Sequence, residues 1–141
     1  MDPSVFKDDD GKYYMYLGGI WGGQLQRWDE NNQYTPSGCE TQDNGMPNSP
    51  AISPRIALMS DDMVSFAEDL KPVRIIDKNG NPILTKDHDR RFFEAAWIHK
   101  KDGVYYLSYS TGNTHYIVYA TSDNPYGPFV YQGVLNNPVQ G

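Results

Sequence analysis

Residues 2–11 and 94–103 are two copies of one pattern, and that repetition restricts the fold more than any other feature of the chain. In each copy an acid, Asp2 or Glu94, is followed nine positions later (11 − 2 and 103 − 94) by the glycine of an Asp-Gly pair. Between them stand Pro3 or Ala95, a small residue, two apolar residues (Val5-Phe6 against Trp97-Ile98) and a polar stretch. Each copy then runs on through paired tyrosines, Tyr13-Tyr14 or Tyr105-Tyr106, among residues that favour strands. Asp-Gly between two such runs predicts a β-hairpin, because the glycine accepts the positive φ that a tight turn requires. A third element also recurs: Ile56-Ala57-Leu58-Met59-Ser60-Asp61 with Phe66 parallels Val118-Tyr119-Ala120-Thr121-Ser122-Asp123 with Phe129.

The rest of the chain is consistent with short strands and frequent turns. Strands are predicted over 4–7, 12–17, 24–28, 55–59, 73–76, 104–109, 116–121 and 129–131. Residues 66–70 are ambiguous between strand and turn. Aromatic residues make up 13% of the chain, and 13 Gly with 10 Pro supply the punctuation, a mixture that disfavours long helices. Residues 29–50 hold few aliphatic side chains and read as a surface insertion. The aspartate run Asp8-Asp9-Asp10 reads as a solvated turn, since a calcium loop needs acids at alternating positions and a distal Glu. Residues 86–91 read as a charged, solvated loop, and His115, a possible metal ligand but with no second His at ligand spacing, as a satisfied or solvent-facing residue.

Repeated units of about four short antiparallel strands predict an all-β protein and point to β-propeller blades, with a solenoid or a sandwich as alternatives. Neither alternative requires an acid at the same place in each unit. In a propeller the innermost strand of each blade starts at the central channel, so Asp2 and Glu94 would approach the axis from neighbouring blades. Alone, Glu94 among Phe92, Phe93, Ala95, Ala96 and Trp97 is open to two readings, a strand-edge carboxylate reaching solvent or a functional acid. Its pairing with Asp2 favours the second. Two carboxylates in an aromatic-walled pit suit glycoside hydrolysis, one as proton donor and one as base or electrostatic partner. Trp21, set among Gly18, Gly19, Gly22 and Gly23, is a core residue or a stacking platform for a sugar ring. Trp97 beside the acid is a second candidate wall.

Several motifs in order resemble glycoside hydrolase family 43, nearest to its β-xylosidase and α-L-arabinofuranosidase branch. They are Asp2-Pro3-Ser4-Val5-Phe6 with the turn to Gly11, the glycine loop around Trp21, Phe93-Glu94-Ala95-Ala96-Trp97, residues 108–115, and Tyr126-Gly127-Pro128-Phe129. The resemblance spans nearly the whole chain apart from residues 29–50. It implies a five-bladed β-propeller and an inverting reaction run by three acids. Glu94 then matches the general acid and Asp2 the pKa modulator that orients it, whereas the residues alone left Asp2 equally open to the role of base. The base is expected in a blade preceding this chain, and a His near a central calcium or water site and a substrate-binding Arg in blades beyond it. Ala96 occupies a position where the family has Pro, a small change for the acid. The 141 residues are thus expected to be a fragment of one catalytic propeller domain, with blade-like units at about 2–76 and 92–135. Met1 directly before a catalytic Asp agrees with a partial chain.

The expected substrate is a neutral xylose- or arabinose-containing oligosaccharide, and the rival is a non-catalytic carbohydrate-binding propeller. A net charge of −6 argues against nucleic acid and anionic membrane as partners. No apolar run reaches the roughly 18 residues of a membrane span. No cofactor is expected within the chain, any calcium of the parent being held by residues not present. The single cysteine, Cys39, excludes an internal disulfide and a cysteine zinc site, and leaves the redox compartment open. Unpaired blade edges are expected to promote self-association.

Overall fold

The computed structural model describes residues 2–19, 33, 47–112 and 114–136. Its first sheet starts with the predicted hairpin, β1 (Ser4–Lys7) and β2 (Tyr13–Leu17), paired from Ser4↔Tyr16 to Lys7↔Tyr13. The connecting turn closes through Asp8 N–H to Lys12 O at 2.9 Å and Gly11 N–H to Asp8 O at 3.0 Å, with Gly11 at φ 84°. β2 alternates as a half-buried strand should: Tyr14 and Tyr16 are buried, and the residues flanking them are half-buried. β3 (Arg55–Leu58) pairs antiparallel with β2, and the short β4 (Lys71–Pro72) closes the order β1-β2-β3-β4. Pro72 lacks an N–H, which suits an edge. The ambiguous stretch 66–70 makes only a single bridge, Met59↔Phe66.

The second sheet is an antiparallel meander of β6 (Glu94–Lys101), β7 (Val104–Ser110), β8 (Ile117–Ser122) and β9 (Phe129–Asn136). Its far edge carries β5 (Ile75–Ile76), parallel to β9, in the order β5-β9-β8-β7-β6. The strand expected over 73–76 therefore contributes two residues, and to the second sheet. Val73 N–H is spent on Pro54 O at 2.8 Å, behind the end of the first sheet, and the chain then crosses to β9. The β6–β7 turn is tighter than its counterpart, with only Asp102 (φ 52°) and Gly103 (φ 80°) between the paired residues Lys101 and Val104.

One apolar core joins the sheets. Tyr14, Tyr16 and Ile56 from the first pack with Ala96, Ile98, Leu107, Tyr109, Val118 and Phe129 from the second. Deep tyrosines need partners for their hydroxyls and find them. Tyr16 donates to Pro125 O and Tyr109 to Arg90 O, both at 2.6 Å. A further tie crosses between the sheets where Tyr126 OH donates to Glu68 at 2.5 Å, while Glu68 also accepts Leu58 N–H at 2.9 Å. The description is thus of an all-β chain in two sheets, as the pattern predicts. The strand expected over 24–28 and most of the insertion over 29–50 lie outside the described residues.

Candidate active site

Glu94 is the first residue of β6 and is half-buried. Simple alternation would put it on the core face with Ala96 and Ile98. The register forbids this, because Glu94 pairs with Ser110 and Trp97 with Ser108, leaving two residues of β6 opposite the single Tyr109. The extra residue is a β-bulge, and Ala95 absorbs it at φ 58°, a left-handed conformation rare outside glycine. Ser108 and Ser110 share one face of β7, so their partners Trp97 and Glu94 share it too. The bulge therefore brings the acid and an indole that is 61% exposed onto the same face.

The backbone before Glu94 is held from behind. Phe92 and Phe93 are buried, and Phe93 N–H donates to Ser110 O at 2.9 Å. Gly112, at φ 82°, lies so close to the Phe93 ring that a Cβ there would run into it. Thr111 is fully buried; its hydroxyl bonds that of Thr114 at 2.7 Å and accepts Tyr116 N–H at 3.1 Å. Thr114 in turn reaches His88 O at 3.3 Å, tying this loop to the segment that leads into β6.

Asp2 is exposed and stands two residues before β1. β1 and β6 contact each other. Each of the two acids therefore precedes or opens one of two touching strands. The far ends of the same strands are joined by a polar cluster that sequence reasoning missed. Asp8, expected in a solvated turn, is buried at 8% exposure. Its carboxylate accepts Lys100 Nζ at 2.7 Å, Tyr105 OH at 2.5 Å and Asp9 N–H at 2.7 Å. Lys100 also meets Asp9 at 3.0 Å and lies over the Tyr105 ring at 4.7 Å. Burial pushes the Asp8 carboxyl up, but the three hydrogen bonds and the Lys100 charge together outweigh it, so its pKa lies below the ordinary 3.8. Lys100 is correspondingly raised, chiefly by its hydrogen bond to Asp8. The signal available in the sequence was a Lys in the second copy at the position that Asp8 holds in the first.

Trp21 lies outside the described residues. His115 is exposed, at φ 52°. Among the described residues no three of His, Cys, Asp and Glu gather as metal ligands would. A depression beside the β1–β2 turn, lined by Lys12, Tyr13, Leu58, Met63 and Ala67 among others, is bordered by neither acid.

The family described as glycosyl hydrolases family 43 matches residues 1–137. A xylosidase/arabinosidase of Bacteroides ovatus is 52% identical across the whole chain, which spans 42% of that protein. Xylosidase/arabinosidase 43A of Humicola insolens is 50% identical, again across the whole chain and 44% of the relative. A solved family 43 β-xylosidase/α-arabinofuranosidase from a compost microbial metagenome, in complex with xylotriose and in calcium-free form, superposes with a TM-score of 0.91. It is 68% identical over 99% of this chain and 42% of its own. The chain thus covers less than half the length of these relatives. The match runs from before Asp2, through both hairpins and the bulge at Glu94, to the end of β9, and on that basis this chain belongs to glycosyl hydrolases family 43.

Proposed function

We propose that the whole protein is an inverting β-xylosidase/α-L-arabinofuranosidase acting on xylan-derived oligosaccharides, and that this chain supplies about two blades of its five-bladed propeller. Glu94 is the general acid, Asp2 tunes and orients it, and the base comes from outside these 141 residues. The observation that carries the reading is the bulge, which turns Glu94 out of the core and onto the same sheet face as an exposed tryptophan. Bulges recur beside active sites because they re-aim one side chain without breaking the sheet.

In this reading protonated Glu94 donates to the glycosidic oxygen as the bond to the anomeric carbon breaks. A water on the opposite face of the sugar, activated by the base, completes the inversion, which places the two carboxyl groups roughly 6.5–9.5 Å apart. Trp97 and Trp21 wall the sugar, their faces suited to the C–H surface of a pyranose or furanose ring. Relatives bound to xylotriose and xylose support the choice of sugar. A relative solved in calcium-free form raises the question of a metal. The described residues offer no cluster fit to hold one, and no step of this reading runs through it.

The test is Glu94→Gln in the whole protein. A lost general acid lowers kcat on xylobiose by about 10²–10⁴-fold. The loss is much smaller on 2,4-dinitrophenyl xyloside, whose leaving group departs without a proton. Undiminished turnover of xylobiose would overturn the assignment of Glu94 as the acid, and a whole protein that binds xylobiose without cleaving it would instead be a non-catalytic carbohydrate-binding propeller.

A further inference from the structure

We propose that the Asp8–Lys100–Tyr105 cluster is a positioning device for the acid pair, setting the height of Glu94 against Asp2 from the opposite ends of the strands that carry them. The proposal rests on the assignment of Glu94 as general acid. Asp8 lies six residues after Asp2 (8 − 2), and Lys100 six residues after Glu94 (100 − 94). Each acid therefore sits the same number of residues from a shared, buried fixed point. An extended strand rises about 3.3 Å per residue and stretches little, so a contact that fixes one end of two touching strands also fixes the relative height of their regular other ends, Ser4 in β1 and Trp97 in β6, from which Asp2 and the bulged Glu94 continue.

The fixed point is built to be stiff. Lys100 is gripped from three sides, by Asp8 at 2.7 Å, Asp9 at 3.0 Å and the Tyr105 ring at 4.7 Å. Tyr105 is the cross-strand partner of Lys100, so its bond to Asp8 ties β7 to the same carboxylate. The Phe6 ring stands edge-on to Tyr105 at 6.1 Å, adding an apolar contact between β1 and β7 just inside the polar one. From Lys101 back to Trp97 the β6–β7 register is unbroken, and its single irregularity falls between Trp97 and Glu94. A displacement at Lys100 thus travels along a rigid ladder to the bulge. The sheets have other attachments in their common core and through Tyr16 to Pro125 and Tyr126 to Glu68. Cutting the cluster is therefore expected to shift strands rather than separate sheets.

Positioning through a general acid has a signature that plain destabilisation lacks. Misplacing the proton donor hurts substrates that need the proton and spares those that do not, and a shift of about 1 Å can cost up to about 10²-fold. In the whole protein, Lys100→Met and Asp8→Asn are each expected to lose at least about tenfold more kcat on xylobiose than on 2,4-dinitrophenyl xyloside, with KM little changed. Lys100→Arg, which keeps the charge, is expected to recover much of the loss. Glu94→Gln is measured alongside. If Glu94→Gln is leaving-group selective but both cluster variants lose the two substrates equally, or lose neither, the proposal falls and the assignment of the acid stands. If Glu94→Gln is itself unselective, the acid assignment falls and the proposal with it. Should both Lys100→Met and Asp8→Asn fail to fold, as judged by circular dichroism, the cluster is a folding element and the proposal is overturned.

Discussion

Asp8 and Asp10 are two positions apart in one turn and meet opposite surroundings. Asp10 stays in solvent, capping Lys12 N–H at 2.9 Å, while Asp8 is turned inward onto Lys100 and Tyr105. Because its folded pKa lies below 3.8, Asp8 contributes stability that is present above that value and is lost as pH falls through the lowered one. Asp8→Ala should therefore lower the unfolding free energy near neutral pH by about 2–3 kcal/mol, the scale of hydrogen bonds to a buried charge. The deficit should shrink as pH falls below 3.8, where the carboxyl of the unfolded state takes up a proton that folded Asp8 resists. Urea titrations at pH 7 and pH 3 check this, and a gap of constant size would show that the charge contributes nothing. Gly112 makes a second case at this scale. A methyl group there meets both a φ of 82° and the Phe93 ring, so Gly112→Ala should cost about 1–3 kcal/mol and disturb the residue next to Glu94. Equal melts for Gly112→Ala and wild type would mean that the ring moves aside freely.

The element that decides where the acid points is the bulge in β6, and its cost falls on Ala95. A β-branched residue at φ 58° is a steric outlier, whereas glycine is at ease there. Ala95→Val is expected to destabilise by about 1–3 kcal/mol and to lower turnover of xylobiose. Ala95→Gly should be neutral or slightly stabilising. Melting curves ordering Val above Gly would show that the left-handed residue is not what holds the bulge. Much at this scale was legible from the sequence: both hairpins, the core strands over 104–109 and 116–121, and the place of Glu94 at a strand start. The bulge was not, because Glu-Ala-Ala-Trp carries no local signal for it. It arises where Phe93, held at Ser110 and Gly112, and Lys100, held at Asp8, leave β6 one residue longer than the partner it spans. The parallel β5 was equally hidden, since its partner β9 lies more than 50 residues away and propensity is blind to such pairings. Asp8 was misjudged for the same kind of reason: a run of aspartates looks solvated until a distant Lys and Tyr are brought to it.

At the scale of the whole molecule, two sheets share one core yet leave β1, β4, β5 and β6 as outermost strands among the described residues. The second sheet also exposes Trp97, Ile117, Val134 and Leu135, and β1 exposes Val5 at 47%. Open edges beside apolar surface invite pairing with a second copy, while the same surface in a longer chain would be covered by its own further strands. The 141 residues on their own should therefore associate, and sedimentation across a range of concentrations should show species larger than a monomer. Activity should divide the same way. Inversion needs a base on the far side of the sugar from Glu94, and that base is assigned outside this chain, so a correctly placed proton donor is not sufficient. The isolated chain is expected to give no turnover of aryl xyloside or aryl arabinofuranoside above background, and the whole protein to cleave at least one of them. Turnover by the isolated chain that disappears with Glu94→Gln would place acid and base together within these residues and overturn the division of the site.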